Sequence, residues 1–171
     1  MSDTLHGRFV VVPAAYVALL RGAGTATEVL LQLRQGTGFM DGHWACAAAG
    51  HVDRGETAPQ AARREAREEI GVEIAADDLH HVTTMQRTRG GEPIDERVDF
   101  FFTCRTWRGE PGLQEPDKSA GLRWCRLDAL ERLPGPVVPH ELSVLASLAD
   151  GGTTAYTTFG FPPETTAPGV R

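Results

Sequence analysis

Apolar residues fall along this chain in two rhythms, one suited to strands and one to helices. Pro13 to Arg21 is an almost unbroken apolar run, Gly22-Ala23-Gly24 supplies a turn, and Glu28 to Arg34 alternates, a pattern that predicts a β-hairpin. Gly36 to Gly42 is a glycine-rich loop, and Trp44 with the alanine-rich segment behind it predicts a short buried strand leading into Gly50. His81 to Arg89 and Arg97 to Trp107 predict a second hairpin across Gly90-Gly91-Glu92-Pro93. Leu113 to Ala120 reads as a polar loop and Leu122 to Arg126 as a short strand.

Between these strands the period changes. Thr57 with Gln60 three positions on forms a capping box, Pro59 suits a first turn and Gly71 a terminus, so the spacing predicts a helix from Ala58 to Ile70. Pro139 to Leu148 predicts a terminal helix whose Leu142, Leu145 and Leu148 share an apolar face. The mixed order of elements places the chain in the α/β class. Residues 1–150 read as one domain, and 151–171, rich in Gly, Thr and Pro, as a flexible or loosely docked tail.

Charge narrows the chemistry. The net charge is −6 and the only lysine is Lys118, which argues against a broad electrostatic grip on nucleic acid. An acidic chain still takes anionic substrates when divalent cations lie between its carboxylates and a phosphate. Cys46, Cys104 and Cys125 are odd in number and widely spaced, which argues against a disulfide framework or a zinc site and for buried, reduced thiols. The apolar stretch Phe9 to Leu20 follows Arg8, but Asp3 weakens its basic flank and Pro13 interrupts it. It is also shorter than the roughly 20 residues of a membrane span, so a cytoplasmic protein is expected.

The densest signal is the run Gly50 to Val72. On a helix, Glu65, Glu68 and Glu69 fall at i, i+3 and i+4 and project from one face. Without a cation each close like-charge pair costs a few tenths of a kcal/mol, and an oxygen-rich site for Mg²⁺ or Mn²⁺ explains the arrangement. A salt-bridged, solvated face is the plain alternative, since Arg63, Arg64 and Arg67 alternate with the acids. Gly50 and Glu56 tip the balance, because no charged surface requires a glycine where the strand meets the loop. Arg64 lies four residues before Glu68 and is expected to orient the carboxylates.

Gly50, Glu56, the segment Arg64-Glu65-Ala66-Arg67-Glu68-Glu69 and Gly71-Val72 stand at the spacings of the Nudix box, and the chain resembles the Nudix hydrolases. The resemblance extends to the hairpin before the box, to the aromatic strand Val98 to Thr103 and to the segment from Leu122 to Leu130. It implies an α/β/α sandwich with a mixed β-sheet, and attack of water on a phosphorus of a diphosphate linkage. It also implies Glu68 and Glu69 as principal metal ligands, the Gly50 carbonyl as a further ligand, and Glu65 as a ligand or the base. Glu56 and Arg64 would support the site. Two positions depart from the commonest pattern: Ala47-Ala48-Ala49 lacks a proline often found there, and Asp53 stands where glutamate is frequent.

Some enzymes of this kind use a downstream glutamate, and Glu115 occupies a suitable loop, although an exposed turn residue before Pro116 explains it equally. Arg34, Asp41, His43 and Lys118 are candidate substrate contacts, with Trp44 and Trp124 as rings able to stack a base or to pack. His80, His81 and His140 have no metal-site spacing and are assigned no role. The substrate class expected is a small nucleoside triphosphate or a nucleoside diphosphate joined to another moiety. A catalytically silent nucleotide-binding module would call for lost box carboxylates, and an isoprenoid-diphosphate isomerase for a catalytic cysteine, for which only Cys46 is placed. Phe100 to Phe102 fit either the core or a homodimer interface.

Overall fold

The computed structural model describes residues 9–90 and 92–163. Asp3 and Arg8, Gly91 of the expected turn, and residues 164–171 of the expected tail lie outside the described residues. The strands are β1 (Val12–Arg21), β2 (Glu28–Arg34), β3 (Trp44–Cys46), β4 (Ala48–His51), β5 (Leu79–Arg87), β6 (Arg97–Cys104), β7 (Ser119–Arg126) and β8 (Tyr156–Phe159); the helices are α1 (Ala58–Ile70) and α2 (Pro139–Ala149). The eight strands make one mixed sheet in the order β3-β2-β1-β6-β5-β8, with β4 added on β1 and β7 on β2.

β1 is the hub, and its pairing explains its composition. It runs parallel to β6 from Val12↔Arg97 to Leu19↔Cys104 and antiparallel to β4 from Ala14↔His51 to Val17↔Ala48. Its end, Leu20 and Arg21, passes to β2 as the expected hairpin. A strand covered on both faces is apolar throughout rather than alternating, and Ala14 to Leu20 are all buried. Ala15, Val17 and Leu19 face α1, packing with Ala61, Ala62, Ala66 and Ile70. Ala14 and Tyr16 face the other layer, with Met85, Phe101 and Val144. Helices therefore cover both faces, the α/β/α sandwich that the resemblance implies.

Local chemistry accounts for α1. Thr57 and Gln60 exchange both capping-box hydrogen bonds, Pro59 occupies the first turn, and Gly71 closes the helix at φ 73°, its N–H donating to the carbonyls of Ala66 and Arg67. Alanines on both the helix and β4 let the two backbones lie close, and this closeness positions the site.

Elsewhere the structure corrects the sequence reading. β5 starts at Leu79 and stops at Arg87, β6 stops at Cys104, and β7 starts at Ser119, because Arg34↔Ser119 extends the pairing with β2 into the expected loop. On α2, Leu145 is buried and Leu148 packs on the core as expected, but Leu142 does not. Leu142 is 39% exposed, while His140, Glu141, Val144 and Leu145 are buried. The cause is polar: Glu141 accepts a hydrogen bond from the Cys46 N–H at 2.5 Å, pinning the first turn of the helix to β3. Within the expected tail, Tyr156–Phe159 is an edge strand parallel to β5. Phe101 and Phe102 are buried in the chain's own core, and the partly buried Phe100 packs against it.

Candidate active site

Glu65 and Glu69 point from α1 onto the end of β4. Glu69 accepts the Ala49 N–H at 2.8 Å, and the Glu65 carboxyl lies directly on Gly50, where any Cβ would overlap it. Gly50 is required by this close approach. Burial pushes the Glu69 carboxyl up to about 8, and the neighbouring charges of Glu65 and Glu115 act in the same direction, against the Ala49 N–H and Lys118. Burial raises Glu65 as well, with Glu68 and Glu115 adding to it and Arg64 opposing.

Arg64 ties the loop to the helix. Its Nε and Nη2 donate to Glu56 Oε1 and Oε2, each at 3.0 Å. Nη1 reaches Glu65 Oε1 at 2.5 Å and Glu68 Oε2 at 3.1 Å, and Nη2 also donates to the His51 carbonyl at 2.9 Å. The forked contact holds the Glu56 carboxyl below its usual range. Arg64 thus donates five hydrogen bonds, to Glu56, Glu65, Glu68 and the His51 carbonyl.

Glu115 comes from a loop that closes over the end of α1. Gly112 N–H donates to the Ile70 carbonyl and Gln114 N–H to that of Glu69, both at 3.0 Å. Lys118 donates to both Glu115 oxygens at 2.8 and 2.9 Å, so the lysine is engaged by this carboxylate.

A divalent cation suits these donors. They are all oxygen, they raise one another's affinity for positive charge, and Gly50 leaves backbone accessible beside them. The carboxylates are not gathered at one point, and among the described residues no three acidic, histidine or cysteine side chains form a ready cage. Arg64 Nη1 holds Glu65 and Glu68 together while Glu69 turns to the Ala49 N–H, and Glu68 is the most solvent-exposed of the three.

Beside Gly50 opens a cavity of about 560 Å³ lined by Tyr16, Arg34, Phe39, Ala49, His51, Arg87, Arg89, Ile94, Asp95, Arg97 and Glu141, among others. Of the four expected substrate contacts only Arg34 lines it. Asp41 is consumed within its own loop, accepting from the N–H groups of Thr37 and Gly38 and from the Thr37 hydroxyl. His43 and Lys118 also lie off this wall. Trp44 packs with its Nε1 on the Pro134 carbonyl, and Trp124 stacks on Trp107, so neither ring faces the cavity. Cys46, Cys104 and Cys125 are free and buried. Burial drives the Cys46 thiol well above its usual range, which removes it as a nucleophile.

Sequence reasoning missed Arg87, Arg97, Asp99 and Glu141. Asp99 stands inside an apolar aromatic run, and a charge at an interior strand position is the signal that would have found it.

The profile of the NUDIX domain matches residues 11–148. The chain is 26% identical over 121 residues to an uncharacterized Nudix hydrolase, YvcI, of Bacillus subtilis, covering 71% of this chain and 74% of that protein. It is 33% identical over 79 residues to the dihydroneopterin triphosphate diphosphatase of Escherichia coli, covering 46% of this chain and 47% of that one, about half the length of each. The crystal structure of a MutT NUDIX hydrolase from Burkholderia pseudomallei superposes with a TM-score of 0.69 at 23% identity, over 80% of this chain and 97% of that one, a likeness of fold.

Proposed function

Because the chain belongs to the Nudix family and is a Nudix pyrophosphohydrolase, we propose that it uses Mg²⁺ or Mn²⁺ to hydrolyse a diphosphate linkage in a nucleoside triphosphate, or in a nucleoside diphosphate joined to another moiety. The observation that carries this reading is the docking of the Glu65 and Glu69 carboxyls on the backbone of Ala49 and Gly50, with Arg64 bracing the acids around them.

Glu68 and Glu69, with the Gly50 carbonyl and Glu65, would hold the cation. Nudix hydrolases generally use divalent metals, and such an ion neutralises diphosphate oxygens and acidifies water. Glu65 or Glu115, through a carboxylate oxygen, would take the proton from the attacking water. Arg64 keeps Glu65 and Glu68 in position, a role of orientation rather than contact with the substrate. As water adds to phosphorus and the bridging P–O bond breaks, two phosphorylated products leave. The cavity beside Gly50 would receive the organic part of the substrate. The name of the Escherichia coli relative, a triphosphate diphosphatase, supports the substrate class without specifying its ring.

Three free, buried cysteines support a reducing compartment such as the cytoplasm. Among the described residues no helix is long and apolar enough to cross a membrane. The net charge of −6 supports a small-molecule substrate over nucleic acid.

The test is a panel of nucleoside triphosphates, 8-oxo-dGTP, ADP-ribose, dinucleoside polyphosphates, NADH and sugar nucleotides, with Mg²⁺, with Mn²⁺ and after chelation, the products resolved by mass. Cleavage between two phosphorus atoms that chelation stops is the expected result. Silence across the whole panel would set the reading aside.

A further inference from the structure

The cavity beside the box has a concentration of positive charge that the hydrolytic site does not use. Arg87 on β5 and Arg97 on β6 are direct cross-strand partners. Like charges at opposed strand positions repel, and burial denies them the water that would screen them on a surface. Arg87 is 4% exposed, and the Arg97 side chain is 12% exposed.

Asp99, fully buried on the same face, answers only part of this charge. Arg87 Nε donates to Asp99 Oδ2 at 2.7 Å. Arg97 Nε stands 3.8 Å from Asp99 Oδ1, beyond hydrogen-bond range, and among the described residues neither of those two atoms has a partner. Arg89 lies two residues beyond Arg87 and reaches Asp95 at 3.5 Å. Arg34 comes from β2 on the far side of the opening. The guanidinium groups of Arg34 and Arg89 both lie over the Phe39 ring, at 5.4 and 5.2 Å from its centroid.

Four arginines thus line one cavity whose wall carries two acids, Asp95 and Glu141, with Asp99 buried against Arg87, in a chain whose net charge is −6. His140, behind the cavity, reports the resulting field: its pKa is lowered to about 3, first by burial and then by Arg87, Arg97 and Arg34. A buried guanidinium with an unused donor, beside further cations and open to a cavity, is matched by an oxyanion.

We infer that Arg34, Arg87, Arg89 and Arg97 form an anion subsite, and that the moiety joined to the scissile diphosphate carries a phosphate or carboxylate which they hold. The inference rests on the hydrolase reading for its substrate, and on the cavity alone for its anion. The same oxyanion chemistry has a second source, free phosphate, and the test separates the two.

Two matched pairs differ by one phosphate monoester on the organic moiety: NADPH against NADH, and coenzyme A against dephospho-coenzyme A. Wild-type enzyme should favour the phosphate-bearing member of a pair about tenfold or more in kcat/KM, chiefly through KM. Arg89→Gln, at a partly exposed position, should bring that ratio to within about twofold of one, and Arg97→Gln should do the same in protein whose thermal melt shows it folded. A wild-type ratio near one, or a ratio that Arg89→Gln leaves untouched, overturns the substrate assignment.

Titration with inorganic phosphate, followed by calorimetry, forms the second arm. Saturable binding weakened by both variants supports the subsite. Such binding together with a substrate ratio of one reassigns the subsite to free phosphate and overturns the substrate half of the inference. Absence of phosphate binding that depends on Arg89 and Arg97 overturns the subsite itself. Failure to cleave any diphosphate counts against the hydrolase reading, and the subsite then stands or falls on this titration.

Discussion

Arg64 holds Glu56 with a fork: Nε and Nη2 donate to the two oxygens of one carboxylate, each at 3.0 Å, across eight residues of sequence. The pair joins the loop after β4 to the first turns of α1, and the remaining guanidinium nitrogen is left to face Glu65 and Glu68. One side chain therefore sets the relative positions of three carboxylates on two elements.

A lysine keeps the charge but loses the fork. Arg64→Lys should lower kcat by on the order of a hundredfold, the scale expected when reacting groups are misplaced by about an ångström. Far-UV circular dichroism should be unaltered, because the capping box and the apolar face of α1 remain. A kcat within twofold of wild type would show that the fork has no positioning role.

Glu69→Gln retains an oxygen for the Ala49 N–H and removes the charge. Turnover with Mg²⁺ should fall by on the order of a thousandfold or more, in line with losing a ligand that stabilises charge in the transition state. The melting temperature of the metal-free protein should hold, since burial already favours the neutral form of the Glu69 carboxyl. An unchanged rate sinks the metal assignment of Glu69.

Gly50→Ala tests close approach. The new Cβ meets the Glu65 carboxyl, the free end of a flexible side chain, so the fold should lose only about 1 kcal/mol while Glu65 is displaced. A drop in kcat of roughly tenfold or more, with a melt only slightly shifted, is the expected outcome. Equal activity in Gly50→Ala would mean that Glu65 does its work from another position.

His140 and Glu141 give adjacent and opposite pH dependences. Burial lifts Glu141 from 4.5 to about 7 and lowers His140 from 6.5 to about 3. Between pH 4.5 and 6.5 the folded state binds more protons at Glu141 than the unfolded state, so stability falls as pH rises; at His140 the unfolded state binds more, so stability rises. The two slopes oppose each other in wild type. Glu141→Gln should therefore gain stability over wild type as pH rises through this window, by at most about 1.4 kcal/mol per pH unit. Urea unfolding at fixed pH values checks it, and other titrating groups cancel in the difference. A difference that stays flat with pH refutes the burial of the Glu141 charge.

The helix of the box was legible from Thr57 to Gly71 to the residue, because a capping box, a proline in the first turn and a terminal glycine act within a single turn of chain and need no partner. The acidic cluster was legible for the same reason: i, i+3 and i+4 spacing places carboxylates on one face by helix geometry alone. Glu115 remained open on sequence, because its approach to α1 depends on Gly112 and Gln114 bonding to the helix end, a contact between distant parts of the chain. Leu142 was misplaced because leucines three apart mark a helix face only when nothing polar competes for it. The Cys46 N–H competed, through Glu141.

What this sequence determined by itself is therefore its local chemistry: strand runs, the capped helix, and a spacing that sets three acids on one helix face. The tertiary structure alone decided which side chains share the cavity. Strand register set Arg87 opposite Arg97 and Asp99 beneath them, α2 brought Glu141 to β3, and β1, paired with both β4 and β6, carried that cavity to Gly50. Such contacts join residues tens of positions apart, and their free energy comes from burial and pairing across the sheet, which no local pattern of residues encodes.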